Sequence, residues 1–515
     1  GQVYQVNLLE KLIVPLLAKL SNLVIDGGIW LNTQRPEWND ANNALVGQGL
    51  SMVTLYYMRR YMHFLRDLLG DEPGCFAVSA EVGQWLEGTA SSLSQVRSAT
   101  GNGNVDDDKR FNSLVELGRV ASDYRTTVYN SGGFAGSRDL EIHDILQLLE
   151  DALVITDHSI AANRREDGLY HAYNVADFNN DTLRTDNLYS MLEGQVAVLS
   201  SGAIGADEAA DVLDALFASD VYRDDQESFM LYPDRKLPGF LERNRVAEDQ
   251  VPAIRLLHRM LDAGDERVVL KDDDGCIRFN AEFTNAGDLE ATLEAIGDDY
   301  AENDSATRRA ILELYEAVFD HKSFTGRSGT MFGFEGLGSI YWHMVAKLML
   351  AVEESFFDAL DSGAERATLK RLGDLYYRVR FGIGFNKSPA DYGAFPTDPY
   401  SHTPRHAGAQ QPGMTGQVKE EVLTRFGELG VRVQDGAISI QPALLRAREF
   451  GVESRSFRYL DVDNSWQTLT LPVSSLAFTW CQVPIVYVLD NDADTCLVTE
   501  FDDGTSTSWT DLNLP

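Results

Sequence analysis

Apolar residues recur at helical spacing in a dozen segments of this chain: 7–24, 44–69, 80–98, 111–123, 139–155, 187–201, 206–218, 250–263, 288–298, 305–320, 338–361 and 364–380. Each segment carries an apolar stripe that can be buried only against another element. The pattern predicts a mainly α fold of paired helices, joined by loops rich in Gly, Asp, Asn and Pro. Asp304-Ser305 before Ala306 is a capping signal, and Ser362-Gly363 separates two helices. No repeat of fixed period accompanies the helices. That argues against the common solenoids and leaves an α/α barrel or a stack of helical hairpins. One more helix is expected from Gly416 to about Leu429. Beyond it the period changes to two: Val431-Arg432-Val433, Ala437-Ile438-Ser439-Ile440, Phe457-Arg458-Tyr459 and Thr468-Leu469-Thr470 alternate as half-buried strands do. The expected organisation is a helical domain over 1–430 and a small β region over 431–515.

A chain of 515 residues, 44% hydrophobic and 24% charged, can bury a large core, and it is neither disordered, collagen-like nor a small disulfide scaffold. At about 150 residues per domain, two to four domains or one large helical barrel fit the length. Lys and Arg number 44 against 79 Asp and Glu, a net charge of −35. Such a surface repels phosphate backbones and anionic lipid, and no basic patch reverses the sign locally. Neither nucleic acid nor membrane is an expected partner. Only ten of the basic residues are Lys, which fits a salt-rich setting and equally an Arg-rich genome. Cys75, Cys276, Cys481 and Cys496 lie far apart and form no CxxC pair, so neither a zinc site nor an oxidising compartment is called for. The longest apolar stretch, Leu469 to Leu489, is interrupted by Pro472, Gln482 and Pro484 and reads as buried strands. No secretory leader pattern opens the chain. The expectation is a soluble, cytoplasmic protein.

Three polar clusters are candidates for chemistry. The first is Gly27-Gly28-Ile29-Trp30-Leu31-Asn32, followed by Arg35-Pro36-Glu37-Trp38-Asn39-Asp40-Ala41-Asn42-Asn43. Trp38 offers a flat face suited to a sugar ring, with hydrogen-bonding side chains around it. Asp40 or Asn42 reads equally as the N-cap of a following helix. The second runs from Gly326-Arg327-Ser328-Gly329 to Tyr341-Trp342-His343, where five glycines in thirteen residues leave amides exposed ahead of a helix. Such loops hold anions readily, and Glu335 and His343 add a carboxylate and an imidazole. A loop leading into a packed aromatic helix start is the plain alternative, and no Walker Lys follows. The third is Ser401-His402-Thr403-Pro404-Arg405-His406 with Gln410-Gln411-Pro412-Gly413-Met414-Thr415-Gly416-Gln417, or simply a solvated loop. Asp490-Asn491-Asp492-Ala493-Asp494 opens like a calcium loop, but Thr495 and Phe501 occupy the positions for its Gly and its final carboxylate. It reads as a turn, as does Asp272-Asp273-Asp274-Gly275.

Taken in order, these segments resemble the clan of inverting glycoside phosphorylases that includes the cellobiose and chitobiose phosphorylases of the glycoside hydrolase family 94 type. Trp38-Asn39-Asp40 is similar to the family motif whose Asp is the general acid. Asp167-Gly168-Leu169-Tyr170-His171-Ala172-Tyr173 and Leu192-Glu193-Gly194-Gln195-Val196-Ala197-Val198-Leu199-Ser200 resemble a strand-like turn and a helix of that family. Glu335-Gly336-Leu337-Gly338-Ser339-Ile340-Tyr341-Trp342-His343 resembles the segment whose Glu contacts sugar and whose His contacts phosphate. Thr415-Gly416 resembles its phosphate-contacting pair, and 430–442 its following strand pair.

The resemblance spans the family from its catalytic acid to its C-terminus and implies an (α/α)6 barrel with a C-terminal β region. It implies Asp40 as the acid, with Trp38, Glu37, Asn43, Tyr170 and Glu335 on the saccharide. Phosphate would be held by His343, Thr415, the Gly416 amide and Arg327 or Arg405. Inorganic phosphate is then the co-substrate, with no cofactor and no metal, and a β-linked gluco-oligosaccharide yields a sugar 1-phosphate. Two other readings stand beside this one. An inverting hydrolase would need a carboxylate base about 6.5–9.5 Å from the acid, from Glu335 or Glu37. Because Asp40 comes so early, a carbohydrate-binding or assembly subunit completed by a second chain, or a homo-oligomer, is the other.

Overall fold

The computed structural model describes residues 3–32, 45–70, 74–100, 105–179, 181–233, 238–247, 249–320, 340–383, 400–403, 411–412, 416–434, 436–490, 495–501, 503–509 and 513–514. The chain divides into two compact units, Gly1–Met414 and Thr415–Pro515. Among the described residues, helix is the main element, and no helix is long and apolar enough to cross a membrane.

The first unit opens with α1 (Leu8–Leu20), the short strands β1 (Leu23–Val24), β2 (Gly28–Trp30) and β3 (Gly49–Ser51), and α2 (Met52–Leu69). Then come β4 (Cys75–Ser79), α3 (Ala80–Thr100), α4 (Asp107–Ser131), β5 (Ser137–Glu141) and α5 (Ile142–Ala162). The hairpin β6 (Tyr173–Asn179) and β7 (Thr182–Asn187) precedes α6 (Leu192–Ser200), α7 (Ala206–Phe217), β8 (Tyr222–Arg223) and β9 (Ser228–Phe229). Helical spacing at 44–51 predicts the first turns of α2, but that stretch is a turn and a strand. The reason is local: at Gly49 a Cβ would lie 2.3 Å from the Leu45 Cβ, so close packing there admits only glycine. The helix begins instead at Ser51, whose hydroxyl accepts the Thr54 N–H at 3.0 Å as an N-cap. Likewise the expected helix start at 139 is strand β5, which pairs antiparallel with β4. The strands β1-β2-β3-β6-β7 form one antiparallel sheet that helical spacing did not indicate.

Between β9 and the next helix of the main body, the chain makes an excursion. It holds α8 (Phe240–Arg243), α9 (Gln250–Ala253), α10 (Arg255–Ala263), the hairpin β10 (Val269–Lys271) and β11 (Ile277–Phe279), α11 (Ala286–Ile296) and α12 (Ser305–Phe319). These elements share their own core, in which Leu256, Leu257, Met260, Val269, Phe279, Leu293 and Ile311 are buried together. Asp304 caps α12 as its sequence predicts, accepting the Thr307 N–H at 2.7 Å. Asp272-Asp273-Asp274-Gly275 is the β10–β11 turn, with the Gly275 N–H on the Asp272 carbonyl at 2.9 Å. The excursion leaves and returns at one place, since Met230 bridges Ile340. The main body resumes with β12 (Ile340–Tyr341), α13 (Trp342–Asp361) and α14 (Arg366–Phe381).

The long helices pack in series: α4 on α3, α3 on α5, α5 on α2, α2 on α6, α6 on α13, and α13 on α14 and α7. Arg60 of α2 grips Glu354 of α13 with two bonds of 2.9 and 3.0 Å, and Ser200 of α6 donates to the same carboxylate at 2.9 Å. That triad lies two to three turns from each helix start, and the starts are themselves joined through the Met52 N–H on Ala172, Gln195 on Tyr170, the Leu192 N–H on Leu231 and the Met230–Ile340 bridge, so α2, α6 and α13 run in the same direction.

In the second unit, α15 (Gly416–Glu428) precedes β15 (Val431–Gln434) and β16 (Ala437–Ile440), which pair with each other. The expected boundary at 430 thus falls just after a helix that belongs to this unit. Glu428 is buried beside Arg425, which also reaches Glu449 at 2.8 Å. Three hairpins follow: β17 (Arg455–Leu460) with β18 (Trp466–Leu471), β19 (Ser475–Trp480) with β20 (Val483–Val488), and β21 (Leu497–Glu500) with β22 (Ser506–Trp509). The Tyr487 hydroxyl donates to the Leu429 carbonyl and ties the second hairpin to the end of α15.

Because the excursion has a separate core, Phe279→Ala should destabilise it by about 3–5 kcal/mol and leave the helical series folded. Limited proteolysis should then cut the variant selectively within 238–320; equal loss of protection across 52–200 would contradict the separation.

Candidate functional site

The common direction of α2, α6 and α13 brings their first residues to one end. Backbone bonds fasten them there: the Met52 and Val53 N–H groups both reach the Ala172 carbonyl, at 3.0 and 3.2 Å, and the Leu192 N–H reaches Leu231 at 2.8 Å. Leu231 is next to Met230, whose bridge partner Ile340 opens the approach to α13. Segment 170–173 therefore lies against the start of α2, and the starts of α6 and α13 are stitched together. The Met52, Val53, Thr54 and Leu192 N–H groups are thereby paired within the chain, so what this end offers a polar ligand is its side chains and the positive ends of the helix dipoles.

The described part of the first cluster, Gly27–Asn32, lies at the same end. Leu31 and Gly49 are joined by a bond of 2.8 Å, and Gly47 donates back to Leu31 at 2.7 Å, pinning the chain on either side of 33–44 next to β3 and α2. Trp30 donates from its indole to the Gly47 carbonyl at 3.0 Å. Asp40, Trp38, Glu37 and Asn43 themselves lie outside the described residues.

Tyr170 is buried, and its hydroxyl donates to Glu208 of α7 at 2.9 Å. Its backbone is clamped by Gln195 of α6, whose amide accepts the Tyr170 N–H at 2.9 Å and donates to the Tyr170 carbonyl at 2.8 Å. His171 is buried, and burial first, then the Arg165 charge, brings its imidazole down to about 4, so it is neutral at pH 7. Tyr173, only 1% exposed, donates its hydroxyl to Oε2 of Glu193 at 2.9 Å. Burial raises the Glu193 carboxyl above its usual range, against the opposing effects of Tyr173 and of the Lys347 charge.

His343 is the second residue of α13, half-buried, with its ring stacked on Tyr341 at 5.7 Å. Lys347 stands one turn further along the same face. Strand β13 (Tyr400–Thr403) pairs with β12, setting His402 opposite Tyr341 and Thr403 opposite Ile340, and β14 (Gln411–Pro412) pairs with β13. The second and third clusters, far apart in sequence, thus meet at the start of α13. Glu335, Arg327, Arg405 and Thr415 lie outside the described residues, and Gly416 is the first residue of α15. Sequence reasoning singled out neither Tyr173, Glu193 nor Lys347 for a role. The available signals were Glu193 inside the helix motif and Lys347 four residues after His343.

Residues 237–322 match the family model of the GH149 phosphorylase insertion domain 2. The matched stretch coincides with the separately cored excursion α8–α12. No curated protein matches the chain. The family match supports a glycoside phosphorylase, an enzyme of carbohydrate metabolism, as the class to which the chain is similar.

The neutral His171 has a stability signature. Its folded value, about 4, lies below the free value of 6.5, so as pH falls between these two the unfolded chain takes up a proton that the folded chain refuses. Stability due to this residue is complete above 6.5 and is lost towards 4. His171→Gln should flatten that part of the denaturation profile relative to wild type; identical profiles would contradict the assignment.

Proposed function

We propose that this chain is an inverting glycoside phosphorylase of the cellobiose/chitobiose phosphorylase kind, a glycosyltransferase that cleaves a β-linked gluco-oligosaccharide with inorganic phosphate. One observation carries the reading: the stretch matching a phosphorylase insertion domain is spliced between β9 and β12, whose flanking residues Met230 and Ile340 bridge each other just before α13, the helix whose start carries His343. The ordered resemblance of the flanking motifs supports it. In this reading the serial helices belong to an (α/α)6 barrel over 1–430, followed by a β region over 431–515, in a cytoplasmic enzyme without cofactor.

Asp40 protonates the glycosidic oxygen while phosphate attacks the anomeric carbon from the opposite face. Phosphate is already an anionic nucleophile, so no protein base is needed, and inversion follows from the single displacement. His343, Thr415, the Gly416 amide and Arg327 concentrate donors on the phosphate, a local reversal of sign that a chain of net charge −35 requires. Trp38, Glu37, Asn43, Tyr170 and Glu335 hold the saccharide.

Incubation with a panel of β-linked gluco-oligosaccharides should release sugar 1-phosphate only when phosphate is present. Asp40→Asn should lower the rate on the order of 10²–10⁴-fold, the usual contribution of a general acid. Release of free sugar without phosphate would replace this reading with the hydrolase; full activity in Asp40→Asn would remove Asp40 as the acid.

A further inference from the structure

We propose that Glu193, hydrogen-bonded to the Tyr173 hydroxyl where the starts of α6 and α13 meet, accepts hydroxyl groups of the bound saccharide. The proposal rests on the phosphorylase reading and gives its saccharide site a residue that the motif comparison does not assign. Three separate segments build this point. Tyr173 opens β6 and pairs with Ser51 just before α2; Glu193 is the second residue of α6; Lys347 lies one turn into α13 beyond His343.

Tyr173 is buried, whereas Glu193 and Lys347 are half-buried, so the carboxylate rests on a closed floor and keeps an open side. Tyr173 occupies Oε2 at 2.9 Å; among the described residues Oε1 takes no hydrogen bond. A carboxylate oxygen has lone pairs for two donors, and neighbouring equatorial hydroxyls of a pyranose present donors at a matching spacing. The charge argues for a neutral polyol: a carboxylate repels phosphate, and Lys347 offsets that charge. Burial favours the protonated acid, and hydroxyl donors from a sugar would restore the ionised form that accepts best. His343 lies one turn before Lys347 on the same face, so in this reading phosphate and saccharide bind at successive turns of one helix start.

Glu193→Gln tests this while keeping the oxygen that receives the Tyr173 hydroxyl. The KM for saccharide should rise about ten- to hundred-fold, the range for losing one or two charge-assisted hydrogen bonds, with the KM for phosphate unchanged. The melting temperature should stay near that of wild type, which a purely structural role would not allow. Lys347→Met should act in the same direction. Titration calorimetry with an unreacted gluco-oligosaccharide reads the saccharide Kd without turnover. If wild type binds the oligosaccharide but never forms sugar phosphate, and Glu193→Gln weakens that binding, the phosphorylase reading fails while the role of Glu193 stands. An unchanged saccharide KM and Kd in Glu193→Gln, an equal rise in the phosphate KM, or a wild type that binds no saccharide would overturn it.

Discussion

Everything proposed for this molecule depends on the bridge between Met230 and Ile340, with its companion bond from Leu192 to Leu231. These contacts bring the chain back to the point it left, so the start of α13 is set beside the start of α6 despite the long stretch between them. Closing so long a loop is entropically tolerable because the cost grows only with the logarithm of its length. The excursion offsets its own ordering by burying side chains such as Leu256, Leu257 and Phe279, each contributing about 1.5–3 kcal/mol of transfer free energy. The matching insertion domain is thus a folded body added to the helical series without disturbing it.

Two levels of polar contact then keep α2, α6 and α13 in register. Deep along the helices, Arg60, Ser200 and Glu354 join all three. At their starts, Gln195 clamps the backbone of Tyr170, and Tyr173 holds Glu193. The second level is mostly uncharged: His171 is neutral and the hydroxyls are bonded. Against that background Glu193 and Lys347 bring a carboxyl group and an ammonium group, with the His343 imidazole nearby, to these helix starts. For a protein so acidic overall, a carboxylate balanced by lysine and a nearby imidazole is a sharp local departure.

Much of the helical architecture was legible because long amphipathic stripes and side-chain caps are local signals. Ser362-Gly363 and Asp304 punctuate helices where the sequence indicates, and the strands at 431–434, 437–440, 455–460 and 466–471 follow their alternation. The sheet β1-β2-β3-β6-β7 was not legible. Three of its strands have only two or three residues, too few to show a period, and β6 loses its alternation where Asp177, Phe178 and Asn179 are all exposed. The site divides the same way. His343 stood out because a glycine-rich stretch precedes its helix, whereas Tyr173, Glu193 and Lys347 come from three elements and become a group only through strand pairing and helix packing. Register across elements is a tertiary fact that no window of sequence contains.

The central claim is that the shared start of α2, α6 and α13 is where substrate binds. Hydrogen exchange with and without gluco-oligosaccharide and phosphate tests it most directly. The account predicts that amides of 170–173, 192–195 and 340–347 become protected when both are present, while those of 238–320 exchange as before. Protection confined to 238–320 or to the second unit, with those three segments unchanged, would contradict it.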